Sequence, residues 1–211
     1  MKVLALNGSS RENGVTYHGL KIVCDELQNL GIETEIMHIG YTPMAGCQGC
    51  KACRTKKHFH RCIVDDGVNK VIDQLKNIDG FIFGAPAHFI GLPGTTKSFL
   101  DRLFYATEQF QDTPHKIGTA ISVCRRSGAI TTFHQLNNYF NCSNMITVNS
   151  QYWNILFGLK PNEIEQDKEG IQTLKLLARN LAWVLKVFAA SKGVIEEPPI
   201  EIPRIRSNFC R

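Results

Sequence analysis

Two short stretches of this 211-residue sequence gather side chains able to do chemistry. The first, Asn7-Gly-Ser-Ser-Arg-Glu-Asn-Gly-Val-Thr16, packs two glycines, three hydroxyls, two asparagines and one arginine into a single loop. Where a strand turns into a helix, such a loop offers backbone N–H groups at the helix N-terminus. The hydroxyls of Ser9, Ser10 and Thr16 and the charge of Arg11 add donors, a combination that suits a phosphate monoester. The plain alternative is an ordinary turn with Thr16 as helix cap, and the density of donors weighs against it. The second stretch is Cys47-x-x-Cys50-x-x-Cys53 followed by Cys62. Three sulfurs converging from one loop with a fourth nearby permit cuboidal iron-sulfur ligation. They equally permit tetrahedral zinc, with His58 or His60 replacing a sulfur, or a reduced, metal-free loop. Cys24, Cys124, Cys142 and Cys210 read as core or tail residues.

The elements that must position these groups alternate between strand and helix along the chain, the pattern of an α/β sheet covered on both faces. Lys2 to Asn7 reads as a strand, Val15 to Leu30 as a helix ended by Gly31, and Glu33 to His38 as a second strand. Residues 40–65, which include the cysteine-rich loop at 46–65, resist assignment. Asp66 is expected to cap a helix to about Asn77, followed by the strand Gly80 to Gly84 and a loop from Ala85 to Pro93. A helix from Gly94 to Tyr105, a strand from Lys116 to Cys124, a helix from Ala129 to Phe140 and a short strand from Met145 to Asn149 come next. Ser150 to Asp167 reads as an irregular excursion. Gln166 to Ala190 carries a helical period through Ile171, Leu174, Leu177, Leu181 and Leu185. The tail from about residue 193 is expected to be extended. The sum is one flavodoxin-like domain, 1–211: a doubly wound sheet of five parallel strands with helices on both faces and the ligand crevice at the carboxyl ends of the strands.

Bulk properties narrow the classes. A net charge of +5, from 24 basic and 19 acidic residues, is mild, and the densest basic run, Lys56, Lys57 and Arg61, sits in one loop without interleaved aromatics. A solvated loop is the better reading, and no nucleic-acid partner is expected. MKVLALNGSS has no signal-peptide anatomy and no run is long enough to span a bilayer, so a cytoplasmic protein without membrane attachment is expected. The first loop has neither the Gly-Lys-Ser/Thr of a P-loop nor Gly-x-Gly-x-x-Gly, which leaves FMN, with its terminal phosphate, as the natural ligand.

NGSSRENGVT resembles the GSxRxxGxT phosphate loop of the NADPH-dependent FMN reductase family, and GAPAHFIGLPGTTKSFLDR resembles that family's second flavin loop and following helix. CRRSGAITTFHQLNNYF, SQYWN and DKEGIQTLKLLARNLAW resemble a subgroup that includes the iron-sulfur flavoproteins. The resemblance implies that Ser9, Ser10, Arg11, Asn13, Gly14, Val15 and Thr16 hold the FMN phosphate. It also places Pro86, Ala87, His88, Phe89, Ile90 and Gly91, with Arg125, Arg126 and Gly128, beside the flavin ring. The family usually reads Pro-x-Tyr where this chain has His88, whose imidazole can also stack or donate. Lys97, Asp101 and Arg102 match the family but read as spaced ion pairs on a helix. Trp153 and Asn154 match a subgroup motif, with packing as an equal reading for Trp153. The cysteine motif is similar to that of the iron-sulfur flavoproteins, which implies a [4Fe-4S] cluster on Cys47, Cys50, Cys53 and Cys62, although the spacer before Cys62 is longer here.

The function expected is an FMN-dependent oxidoreductase that passes electrons from NAD(P)H to a quinone, nitro or azo compound, flavin or protein acceptor. No acid, base or nucleophile is assigned, because the flavin carries the chemistry. The alternative is a non-enzymatic electron-transfer flavoprotein working between protein partners. A cysteine-loop redox or metal sensor is a third reading that no residue demands. Because flavin sites of this family are commonly completed by a neighbouring subunit, a homodimer or homotetramer is expected, with contacts from Phe104 to Phe110 and Tyr152 to Phe157.

Overall fold

The structure is a computed structural model that describes residues 1–107 and 112–200. Four strands form its centre: β1 (Lys2–Asn7), β2 (Glu33–His38), β3 (Gly80–Pro86) and β4 (Ile117–Cys124). With β5 (Ile146–Thr147) they make a parallel sheet in the order β2-β1-β3-β4-β5, the doubly wound order expected. Among the described residues five helices connect and cover it: α1 (Val15–Asn29), α2 (Val68–Gln74), α3 (Gly94–Thr107), α4 (Ala129–Cys142) and α5 (Lys168–Ser191).

The two-residue period of the strands divides the apolar side chains into two cores. Val3, Ala5, Ile82 and Ile121 face one way and pack under Leu20, Val23 and Leu27 of α1 and Leu174, Leu177 and Leu181 of α5. Leu4, Leu6, Phe81, Phe83 and Ala120 face the other way, against Val71 of α2, Phe99 and Leu103 of α3, and Leu136 and Phe140 of α4. Central strands buried on both faces cannot slip register without exposing one set, so the carboxyl ends of β1, β3 and β4 are held level. Asn7 pairs with Gly84, and Pro86 with Val123.

The structure departs from sequence expectation in three places. Asp66 does not cap α2: Gly67, at φ 104°, occupies the N-cap and no side chain caps the helix, while Asp66 pairs with Arg102. β3 runs on to Pro86, so the loop after it is shorter than Ala85 to Pro93. The fifth strand is split: β5 pairs with Ile117 and Gly118, and a further strand, β6 (Ile155–Phe157), lies inside the stretch read as irregular and pairs with Ser122 to Cys124.

Asn154 bridges that gap. It is fully buried; its carbonyl accepts from Ser122 N at 3.0 Å and its amide donates to Ala120 O at 3.0 Å. The backbone carbonyl of Asn154 thus satisfies Ser122 N and its side-chain amide satisfies Ala120 O, backbone groups of β4 that an uninterrupted strand would pair. Asp167, the N-cap of α5, accepts from Gly170 N and from Phe157 N and so ties β6 to that helix.

Candidate functional site

The loop after β1 is shaped from within by Asn7. This buried amide donates to Glu12 O at 2.9 Å and accepts from Ser9 N at 3.1 Å. Ser9 Oγ in turn accepts from Arg11 N at 3.1 Å, and Gly14 N closes on Arg11 O. The loop is anchored to its surroundings by Gly8 N donating to Gly84 O, Thr96 Oγ1 donating to Gly8 O, and His38 Nε2 donating to Ser9 O. Gly40 is required here, because a Cβ would lie 2.3 Å from Ser9 O. Gly14 is the N-cap of α1; no side chain caps the helix and no acidic residue sits in its first turn. Thr16 is buried inside the first turn and is not the cap. Exposed Ser10, Arg11 and Asn13 therefore surround an open, electropositive helix end that can receive a phosphate.

Beyond β3 the chain makes a two-residue hairpin. His88 N donates to Gly91 O and Gly91 N to His88 O, with Phe89 at φ 44° and Ile90 at φ 67° as the central pair. Both φ values are positive, a turn that favours Asn-Gly, yet it is filled here by two bulky apolar residues, one of them β-branched. Both are exposed, Phe89 completely. Ala87 N donates to Val123 O, and Gly128, at φ 88°, lies so close that a Cβ there would come within 2.8 Å of Ile90 Cα. The hairpin and the loop after β4 therefore form one wall. On it Arg125 and Arg126 are exposed, and among the described residues no hydrogen bond or ion pair holds either guanidinium. All three loops meet at the carboxyl edge of the sheet, and Tyr152 and Trp153 stand exposed on the insertion between β5 and β6. Trp153 packs edge-on against Tyr152 at the surface.

Cys47, Cys50, Cys53 and Cys62 line one small cavity together with Ile63, Val64, Arg102, Tyr105 and Ala106. Two single 3₁₀ turns, Ala52–Arg54 and Lys56–His58, carry the chain between the third and fourth cysteines. Neither His58 nor His60 lines the cavity; His60 Nδ1 is 2.8 Å from Asp112. Among the described residues no three His, Cys, Asp or Glu side chains lie close enough to share one metal ion. Bonds of about 2.3 Å to a single zinc would bring four sulfurs within about 3.8 Å of one another, whereas a cuboidal cluster places irons and sulfides between its thiolates. Four thiols around one cavity are the donor set that a cuboidal cluster takes from a protein.

Arg102 closes that cavity. Its side chain is 2% exposed. Nε and Nη2 donate to Cys62 Sγ at 3.3 and 3.2 Å, both terminal nitrogens bond the Asp66 carboxylate, and Nη2 also reaches Val64 O. Burial opposes its charge, but the bonds it donates to Asp66 and Cys62 outweigh that and raise the guanidinium pKa. Burial likewise pushes the Cys53 thiol up, partly offset by Arg54. Asn69, also buried, accepts from Cys62 N and donates to Cys62 O, fixing the backbone of the same residue.

Between α3 and α4 runs a cleft of about 640 Å³, bordered by Cys47 and by Leu92 next to the hairpin. Lys97 and Asp101 form the expected i,i+4 pair there, and Tyr139 donates to Asp101 at 2.5 Å. Burial and that bond push the Tyr139 hydroxyl far above its ordinary range. Cys142, read as a core or tail residue, is exposed and lines this cleft, while Cys24 and Cys124 are buried as expected. Cys210, Phe110 and the tail beyond residue 200 lie outside the described residues.

Sequence reasoning therefore located the three loops and the four cysteines but missed Asn7, His38, Gly40, Asn69 and Arg102 as the residues that shape them. Asn7 ends the first strand and is polar where the pattern calls for an apolar residue, and that was the one available signal.

The family model described as NADPH-dependent FMN reductase matches residues 1–159. An iron-sulfur flavoprotein of Methanocaldococcus jannaschii is 30% identical over 195 residues, 89% of this chain and 99% of its own length. An iron-sulfur flavoprotein of Methanosarcina thermophila is 26% identical over 196 residues, 91% of this chain and 99% of its own. A WrbA-like flavodoxin structure from Agrobacterium tumefaciens superposes with a TM-score of 0.60 at 14% identity, covering 88% of this chain and 97% of that one, which bears on the fold alone. No helix among the described residues is long and apolar enough to cross a membrane.

Proposed function

The chain belongs to the NADPH-dependent FMN reductase family, and on that premise we propose an FMN-dependent oxidoreductase with a [4Fe-4S] cluster as its second redox centre. Its donor is NAD(P)H and its acceptor a quinone, nitro or azo compound, flavin or protein. The observation that carries this reading is the meeting of three loops, after β1, β3 and β4, at one edge of the sheet. When bound, FMN would supply two-electron exchange with a nicotinamide and electron transfer to the acceptor, and a cluster would supply one-electron exchange.

The chain's own residues bind, orient and shield. Ser9, Ser10, Arg11, Asn13, Gly14, Val15 and Thr16 hold the phosphate, with the open end of α1 and Arg11 offsetting its charge. Pro86, Ala87, His88, Phe89, Ile90 and Gly91 offer backbone groups and apolar surface to the ring, and Arg125 and Arg126, beside Gly128, supply charge at its polar edge. Cys47, Cys50, Cys53 and Cys62 hold the cluster, a ligand set in keeping with the names of the relatives. A second copy of the chain covers the exposed Phe89, Ile90, Tyr152 and Trp153.

The test is steady-state oxidation of NADH and of NADPH by the FMN-loaded chain with a benzoquinone, a nitroaromatic, an azo dye and free flavin. Turnover far above that of free FMN supports the oxidoreductase. The four-cysteine cavity favours a second reading, a non-enzymatic electron carrier between proteins. Failure with both nicotinamides, together with rapid reduction by a reduced ferredoxin, would select it.

A further inference from the structure

Cys62 differs from the other three cysteines of the cavity. Cys47, Cys50 and Cys53 follow one another at three-residue steps, whereas Cys62 lies beyond Arg54 to Arg61, exposed or half-buried residues of a loop with only single 3₁₀ turns. A loop of that kind leaves its far end many positions to occupy, and holding the fourth sulfur near the others has an entropic cost. The fold meets that cost from outside the loop. Asn69 on α2 clamps the Cys62 backbone through its N–H and its C=O at 2.8 and 2.9 Å. Arg102 on α3 reaches across and takes the sulfur itself.

Two features make Arg102 more than a structural ion pair. Its guanidinium divides its donors between carboxylate and thiol: the fork on Asp66 fixes the plane, and Nε with Nη2 then aim at Cys62 Sγ. It is also almost completely buried, so the charge and the N–H···S bonds act where solvent does not screen them. Hydrogen bonds to cluster sulfurs and nearby charge are what set the reduction potential of such a centre.

We infer that Arg102 is the positioning residue of the cysteine site: it seats Cys62 as the fourth thiolate, and through its two N–H bonds to that sulfur it raises the reduction potential of the cluster. The inference rests on the cluster reading given above. Reduction adds one negative charge to the cluster, and donors to Cys62 Sγ stabilise the reduced form more than the oxidised one. Without Arg102, Asp66 stands unpaired beside the sulfur and opposes reduction further.

The experiment compares the full chain, purified anaerobically and reconstituted with ferrous iron and sulfide, with Arg102→Lys and Arg102→Met. FMN, iron and sulfide are counted per chain, and the reduced cluster is titrated by electron paramagnetic resonance. Arg102→Met is expected to keep its FMN while its cluster reduction constant falls at least tenfold, about 59 mV for a one-electron couple. Loss of iron with FMN retained supports the seating role equally, and Arg102→Lys, which keeps the charge but not the fork, then supplies the potential, between the wild type and the tenfold fall. Wild-type iron and potential in either variant would overturn the inference while leaving the cluster reading intact. So would a joint loss of FMN and iron in Arg102→Met with a wild-type Arg102→Lys, which marks a folding role only. A wild-type chain that binds FMN but takes up no iron overturns the cluster reading itself, and this inference with it.

Discussion

Replacing Asn7 with alanine removes a buried side chain that organises the loop after β1 from inside. Its amide makes two hydrogen bonds there, to Glu12 O at 2.9 Å and from Ser9 N at 3.1 Å, and the residue is fully buried. Each bond contributes about 1 kcal/mol net, and a buried N–H left without a partner adds to the loss, so the preformed loop is weakened by about 2–3 kcal/mol. The backbone pairing of residue 7 with Gly84 and His38 does not involve its side chain, so the sheet survives and unfolding stays cooperative. Binding must then restore the loop. At about 1.4 kcal/mol per tenfold, FMN affinity is expected to fall roughly 10- to 100-fold. The assay is titration of the apoprotein with FMN, followed by quenching of flavin fluorescence, with thermal unfolding of the apoprotein as the check on folding. An affinity within twofold of wild type in a folded variant would refute the claim that Asn7 preorganises the site.

Asn154→Ala strips the partner from Ala120 O in the gap between β5 and β6 and is expected to cost about 2–3 kcal/mol in urea denaturation; wild-type stability would count against the bridging role. The double variant Phe89→Asn with Ile90→Gly supplies the residues that a turn with two positive φ angles favours. It should stabilise the chain by about 1–2 kcal/mol while weakening FMN binding, and an unchanged melting temperature would show that the hairpin holds no strain. Burial pushes the Cys24 thiol up to about 12 from an ordinary 9.0, so a thiol reagent at pH 9 should label exposed Cys142 and spare Cys24 in the folded chain. The folded pKa is raised, so the corresponding stability is complete below the unfolded pKa and is lost as pH rises from about 9 towards 12. Labelling of Cys24 at the rate of the unfolded chain would contradict this.

The sheet was legible because its strands are short apolar runs between amphipathic helices: Val3 to Leu6 is apolar throughout, as a strand buried on both faces must be. The loop after β1 was legible because donor-rich side chains sit between a clear strand and a clear helix. The hairpin was not, since Phe89 and Ile90 occupy positions whose usual signature is Asn-Gly. Arg102 was hidden by its neighbours: Lys97 and Asp101 do form the surface pair their spacing suggests, but one residue further on turns about 100° around the helix and points inward. Asp66 looked like a helix cap because sequence offers only local partners, and its actual partner lies 36 residues away. The split fifth strand escaped because segments of two and three residues carry no measurable period, and the amide that joins them acts through β4.

The most direct test of the account is an absorption spectrum with flavin, iron and sulfide counts on protein purified without oxygen. One FMN, four irons and four sulfides per chain are predicted, with broad absorption beneath the flavin bands that acid abolishes. One FMN without iron would leave the flavin site standing and remove the cluster, and a chain that binds no FMN at all would contradict the central claim.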